Sequence, residues 1–161
     1  MPIRTEPLTT AAFAAFGDVL DCAGDPDRII NAGLCGRWHD RARLDFGPDG
    51  RAGISMFRAQ TRPLPYTCDL VERHPLGSQA FIPMTLERFL VIVAADNAGR
   101  PGPLRAFLTA PGQGINILRN IWHGVLAPLA EPGLFAVIDR IGPGLNLQEY
   151  PLTPPVTVLP R

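Results

Sequence analysis

Two histidines and two neighbouring polar side chains have the types and spacing of one acid/base or metal site. Glu72 and His74 are two positions apart, so on a β-strand their side chains share one face. Residues 75–78 predict a turn, because proline cannot continue a central strand and glycine tolerates positive φ, and Gln79 then opens the next apolar segment. His123 comes from a distant part of the chain. We predict that these four side chains converge in one inward-facing pocket of a small β-barrel.

Imidazole and carboxylate groups in such a pocket support two kinds of chemistry. Two histidines can remove and deliver protons near neutral pH, and we interpret His74 as the base and His123 as the acid. Glu72 then orients a histidine. The same set can instead hold a divalent cation through Glu72, His74, Gln79 and His123. In either case the amide of Gln79 can donate to a substrate or accept from it.

Frequent turn signals divide the rest of the chain into short segments. The 161 residues include 16 glycines and 18 prolines, and no helix longer than about three turns fits between them. A short N-terminal helix is predicted over residues 11–16, between Thr10 and Gly17. The predicted strands lie near residues 53–60, 66–74, 79–84, 87–95, 104–109, 114–119, 122–129 and 134–140. This order predicts an all-β jelly-roll β-barrel forming a single domain over residues 1–161.

Two segments raise the question of what covers the barrel. Leu86–Ala95 is apolar on both faces apart from Glu87 and Arg88, which predicts a strand covered on both sides, the outer cover being the N-terminal segment or a second subunit. The proline-rich tail Pro151–Pro160 is expected to wrap over the barrel or a partner.

Composition excludes several functions. The 15 basic and 15 acidic residues balance, so no nucleic-acid-binding surface is expected. All basic residues are arginine, which excludes Schiff-base and pyridoxal-phosphate chemistry on a lysine. No apolar run reaches the roughly 20 residues that span a membrane, and the N-terminus lacks a signal-peptide pattern, so a cytoplasmic protein is expected. Cys22, Cys35 and Cys68 are expected to be reduced and mostly buried.

The spacing of the four site residues resembles that of cupins. Cupins supply metal ligands as His-x-His, an acid five residues later and a histidine from a distant strand. Glu72, His74, Gln79 and His123 stand in those four places, and two of the four are substituted. Gly112, eleven residues before His123, matches the second cupin motif, whereas two further positions of that motif do not match.

A closer resemblance, to bacterial ureidoglycolate lyases, covers nearly the whole chain. The ten-residue block Glu72–Phe81 is its most specific part, and the other matching segments are Leu8–Asp21, Gly53–Ala59, Gly112–Gly114 and Trp122–His123. The resemblance implies a homodimeric cupin-like barrel that splits (S)-ureidoglycolate into glyoxylate and urea in the allantoin branch of purine breakdown. It also implies nickel as the divalent cation, if one is bound.

A small anionic ureido substrate requires further contacts. An arginine is expected to grip its carboxylate. Arg73 lies in the matching block but faces away by alternation, which leaves Arg58 and Arg119 as candidates. Ser78 either satisfies local backbone or contacts the substrate's polar end. Loop residues that could reach over the mouth of this barrel or a neighbouring one are Asn31, Arg37 and His39.

Three alternative functions remain open at this stage. A metal-dependent isomerase or dioxygenase would share the fold. A non-catalytic small-molecule sensor would bind its ligand without turnover. A hydrolase acting on the same substrate would release ammonia instead of urea.

Overall fold

The computed structural model describes residues 1–161. The fold consists of sixteen strands and one four-residue helix. The helix α1 is Thr10–Phe13. The strands are β1 Ile3–Pro7, β2 Gly17–Leu20, β3 Arg28–Ile30, β4 Cys35–Arg37, β5 Arg51–Ala59, β6 Tyr66–Arg73, β7 Gln79–Pro83, β8 Phe89–Ala94, β9 Asp96–Asn97, β10 Arg100–Pro101, β11 Arg105–Leu108, β12 Gly114–Ile117, β13 Trp122–His123, β14 Ala127–Pro128, β15 Gly133–Ile141 and β16 Gln148–Leu159.

Six strands form a closed barrel in the order β11-β1-β16-β6-β13-β8, and β8 pairs back with β11 to complete it. The predicted all-β barrel is therefore confirmed. Side chains on the inner side of these strands, together with Ala127 of β14, fill the barrel. They are Cys68, Val71, Leu90, Ile92, Ala94, Ala106, Trp122, Ala127 and Val158.

A second, antiparallel sheet packs against one side of this barrel in the order β2-β12-β7-β15-β5. The residues buried between barrel wall, second sheet and α1 form the larger core cluster. They are Leu8, Phe13, Phe16, Val19, Phe81, Phe89, Val91, Val93, Phe107, Ile115, Ile117, Phe135 and Val137.

Strand β8 is buried on both faces, as predicted. Phe89, Val91 and Val93 face the second sheet, whereas the residues between them face the barrel interior. Both covers come from this chain. The covered part begins at Phe89, because Leu86 is exposed.

The two ends of the chain differ from the prediction. The predicted helix is shorter, α1, and it begins after Thr9, whose hydroxyl accepts a hydrogen bond from the Ala12 amide. The tail does not wrap over the barrel. It forms β16, one of the barrel's own strands, which pairs with β6 and β1. Its prolines are tolerated because the β16–β6 register shifts between Pro151 and Val156.

The cysteines are free, but the expectation that most are buried is wrong. Only Cys68 is buried, inside the barrel, where burial raises the pKa of its thiol to about 11. Cys22 is exposed. With α1 the only helix, the chain contains none that is long and apolar enough to cross a membrane.

Candidate active site

Glu72 and His123 are brought together by strand pairing. Glu72 lies near the end of β6 and is the direct partner of His123 in the antiparallel β6–β13 pair. Directly opposed residues point to the same side of a sheet. Their chain neighbours Val71 and Trp122 fill the barrel, so Glu72 and His123 face outward from the closed barrel, toward the second sheet. The pocket expected inside a barrel thus lies outside the six-stranded closed barrel, between its wall and that sheet.

His74 joins them from the turn that follows β6. Its ring centroid lies 5.2 Å from that of His123. Glu72 Oε1 is 3.9 Å from His74 Nε2 and 3.6 Å from His123 Nε2. The potential ligand atoms of the three side chains lie within 4.8 Å of one another. The convergence expected for these three residues is therefore present.

Backbone carbonyls set the orientation of both imidazole rings. His74 Nδ1 lies 2.7 Å from the carbonyl oxygen of Asn146, and His123 Nδ1 lies 3.1 Å from that of Ile121. A carbonyl only accepts, so each Nδ1 carries a hydrogen and each neutral ring presents an Nε2 lone pair. Both Nε2 atoms are buried without a hydrogen-bond partner. Three acceptor atoms thus face each other, an arrangement that a shared proton or a metal cation would stabilise.

Two carboxylates lie side by side next to the histidines. The nearby His123 imidazole, 3.6 Å away, holds the pKa of the Glu72 carboxyl below its usual value, against the opposing effect of burial. Glu149 in β16 pairs with Glu72 on its other side. No arginine forms a hydrogen bond or an ion pair with Glu72, His74 or His123. A metal cation or a protonated histidine would therefore favour an anionic substrate at this site.

Gln79 begins β7, on the second sheet, and its side chain is buried. Its Nε2 donates a 3.3 Å hydrogen bond to Asp139 Oδ2, while its Oε1 has no partner. Asp139, its direct neighbour on β15, was not identified from the sequence. Alternation offered a signal, since Asp139 follows the buried Phe135 and Val137 on one face of that strand.

Access to the site is from the side of Glu72 and His74. Their side chains are 24% and 16% exposed, whereas that of His123 is 3% exposed. A cavity beneath His123 has a volume of about 20 Å³, room for about one water molecule. The other lining residues are Phe81, Phe89, Leu90, Val91, Ile92, Ile115, Ile117, Gly124, Val125 and Leu126. A substrate would therefore approach His123 past the other two residues.

Ser78 and Arg119, two predicted substrate contacts, instead bind Asp45. The Ser78 hydroxyl accepts a 2.8 Å hydrogen bond from the Asp45 amide. Arg119 donates two hydrogen bonds, of 2.8 and 2.6 Å, to the Asp45 carboxylate, and these hold the pKa of that carboxyl below its usual value. Ser78 thereby fastens the segment around Asp45 to the turn between β6 and β7, and Arg119 fastens it to the end of β12.

Arg73 and Arg58 also lie away from the three converging side chains. Arg73 stacks 4.5 Å from the Trp122 ring and donates a 2.6 Å hydrogen bond to Asp96. Asp96 also accepts from Trp122 Nε1 at 2.9 Å, so these residues brace the strand that carries His123. Arg58 is exposed on β5, opposite to the face on which Phe57 meets the core.

Asn146 is a further residue that the sequence analysis missed. Besides accepting from His74 through its carbonyl, it accepts a 2.8 Å hydrogen bond from the Leu76 amide through its side chain. It thereby anchors the turn that carries His74. No sequence pattern pointed to it, because its loop meets the turn only in the folded protein.

Comparison with known proteins gives one consistent result. The profile of the family "Ureidoglycolate lyase" matches residues 1–159. A ureidoglycolate lyase of Rhodobacter capsulatus is 69% identical over 97% of each chain. Similar proteins include a ureidoglycolate lyase of Mesorhizobium japonicum, 52% identical over 92% of this chain and 91% of its own. Ureidoglycolate lyase 2 of Rhizobium meliloti is 49% identical over 93% of each.

Proposed function

The chain belongs to the ureidoglycolate lyase family, and we propose that it cleaves ureidoglycolate to glyoxylate and urea at Glu72, His74 and His123. One observation supports placing the reaction at these residues. Two imidazole Nε2 atoms and one carboxylate converge there, and no hydrogen-bond donor lies between them. The expected setting is the cytoplasm, in the breakdown of allantoin.

The reaction needs only proton transfers and anchoring. Substrate hydroxyl and ureido nitrogen are bonded to the same carbon. When the hydroxyl loses its proton, the O–H electrons form the glyoxylate carbonyl, the C–N bond breaks and the departing nitrogen takes up a proton as urea. No water and no redox partner enters the balance.

In the metal-free form of this reaction, the two histidines divide the proton transfers. His74 is the base, because its unpartnered Nε2 lies nearer to the accessible side. His123 is the acid, because its Nε2 is closer to the ionised Glu72, which would stabilise a protonated ring.

The same donor set fits a divalent cation. Glu72, His74 and His123 would hold it, and imidazole ligands suit a metal such as nickel. When bound, the cation would supply positive charge for the hydroxyl and carboxylate oxygens of the substrate. The absence of an arginine bonded to these three side chains supports a metal-assisted reaction.

Removal of the metal tests both parts of this proposal. Chelator-treated enzyme is expected to lose most of its activity on racemic ureidoglycolate, and added nickel is expected to restore it. The measurement is the release of urea, glyoxylate and ammonia over time. Urea and glyoxylate should appear in equal amounts.

Each other outcome has a distinct meaning. Full activity without metal would leave the two histidines as the acid and base. Release of ammonia in place of urea would identify a hydrolase. Ligand binding without turnover in either condition would identify a sensor.

We propose that the protein acts as a homodimer formed through the outer face of the second sheet. Exposed large apolar side chains lie on this face and beside it, and such a patch marks an interaction surface. They are Ile54, Met56, Ile82, Met84 and Leu86. The strand register places Met56, Ala136 and Ile82 side by side across three strands.

Charge on this face should separate the subunits. The double variant Ile54→Glu/Met56→Glu is expected to be monomeric, because a dimer would have to bury two new carboxylates from each subunit. Light scattering after size-exclusion chromatography measures the mass. The matched control Leu34→Glu carries charge on the exposed β3–β4 hairpin, outside the second sheet. A double variant as dimeric as the wild type would exclude this interface.

A further inference from the structure

Asp139 is a carboxylate with an unusual environment. It is partly buried, and the one hydrogen bond of its side chain is the one it accepts from Gln79 Nε2, at 3.3 Å. No arginine or histidine forms an ion pair with it. Partly buried carboxylates are usually paired with a cation or several donors. Gln79 is therefore the one side chain of the protein that Asp139 holds.

This single contact fixes which end of the Gln79 amide is free. An amide can turn either its NH2 group or its oxygen toward a neighbour. The carboxylate of Asp139 can only accept, so Nε2 must face it and Oε1 must point away. Oε1 is buried and has no partner. Gln79 is thus held as an acceptor.

The position of Gln79 relates this acceptor to the site. Gln79 pairs with Ile117 on β12, and Ile117 and His123 line the same small cavity. Gln79 also begins the strand that follows the His74 turn. The space between the barrel and the second sheet thus has Glu72 and His123 on its barrel side. The Gln79 side chain lies on the opposite side, on the second sheet.

The chemistry of ureidoglycolate determines which of its two ends can bind Gln79 Oε1. The ureido end of ureidoglycolate carries N–H donors, whereas its carboxylate offers only oxygen acceptors. An amide oxygen attracts the first and repels the second.

We propose that Asp139 is a positioning residue that holds Gln79 Oε1 as the acceptor for the N–H groups of the ureido end, and so sets the direction in which the substrate binds. This inference rests on the proposed function. It adds a residue that acts through Gln79 and leaves proton transfer to the histidines.

The isosteric substitution Asp139→Asn tests this role, because asparagine can also donate and no longer forces one orientation on Gln79. We expect KM for ureidoglycolate to rise about 10-fold with kcat within about threefold of wild type, as for the loss of one anchoring hydrogen bond. Product inhibition provides the specific readout. The inhibition constant of urea should rise in parallel with KM, and that of glyoxylate should stay unchanged.

A second pair of variants guards against simple damage to the fold. Gln79→Glu places two carboxylates together and should weaken binding of ureidoglycolate and urea more than Asp139→Asn does. Adding Asp139→Asn to Gln79→Glu restores a donor beside an acceptor, so the double variant should bind both more tightly than Gln79→Glu alone. The matched control is Asp69→Asn, an exposed residue of β6, which should leave every constant unchanged.

Three results would overturn the inference. The first is an Asp139→Asn enzyme with wild-type constants for ureidoglycolate and urea. The second is equal weakening of urea and glyoxylate, which would indicate a general structural role. The third is a double variant no better than Gln79→Glu. Failure of the wild-type enzyme to release urea would instead overturn the proposed function, and the inference with it.

Discussion

Replacing His123 or His74 with alanine is expected to lower kcat about 100-fold or more while the fold remains intact. Either substitution removes one of the two Nε2 atoms that meet Glu72, and with it an acid, a base or a metal ligand. The effect should fall mainly on kcat, because proton transfer is needed in the transition state. Steady-state urea release measures the loss, and circular dichroism checks the fold.

The third histidine of the chain provides the matched control. His39 is exposed and lies outside the converging group, so His39→Ala should retain near-normal turnover. A variant of His74 or His123 with wild-type kcat and an intact fold would refute its assignment to the site. Loss of activity in His39→Ala to the same extent would show that the assay detects nonspecific damage.

Phe107→Ala is expected to lower the free energy of unfolding by about 3–5 kcal/mol, the range typical of deleting a buried aromatic ring. Phe107 is fully buried between the barrel wall and α1. Its ring centroid lies 5.4 Å from that of Phe13 and 6.2 Å from that of Phe16. The deletion would therefore leave a cavity in the larger core cluster. Denaturant unfolding followed by fluorescence or circular dichroism measures the change.

Phe107→Leu is the control for this stability prediction. It keeps most of the apolar volume while losing the ring contacts, so its loss should be clearly smaller than that of alanine. Equal losses in the two variants would mean that the ring contacts, and not the cavity, dominate. A loss below about 1 kcal/mol in Phe107→Ala would contradict the packing described for this cluster.

Local alternation predicted the part of the site that is local in sequence. Glu72 and His74 are two residues apart, and the turn after them leads into Gln79, so one strand and one turn determine their relation. The pairing of Glu72 with His123 depends on strands separated by some 50 residues. Resemblance to the family, and not periodicity, indicated this pairing.

Other features could not be read from local patterns. Arg119 looks like a free candidate in the sequence, yet it binds Asp45, 74 positions away. The tail reads as a wrap because prolines argue against a strand, but a register shift accommodates them in β16. In both cases a contact between distant segments decides the outcome, and sequence spacing carries no information about it.

The position of β16 in the barrel has a consequence for biosynthesis. β16 lies between β1 and β6, and it is made after every other strand. On the ribosome, a nascent chain that already contains Glu72, His74 and His123 therefore cannot close the barrel wall. Until β16 emerges, the apolar surface of Val71 and its neighbours is left open to solvent, and the edge of β1 that does not pair with β11 has no partner. The barrel should thus close late in folding, because its wall requires the first and last of these strands to pair.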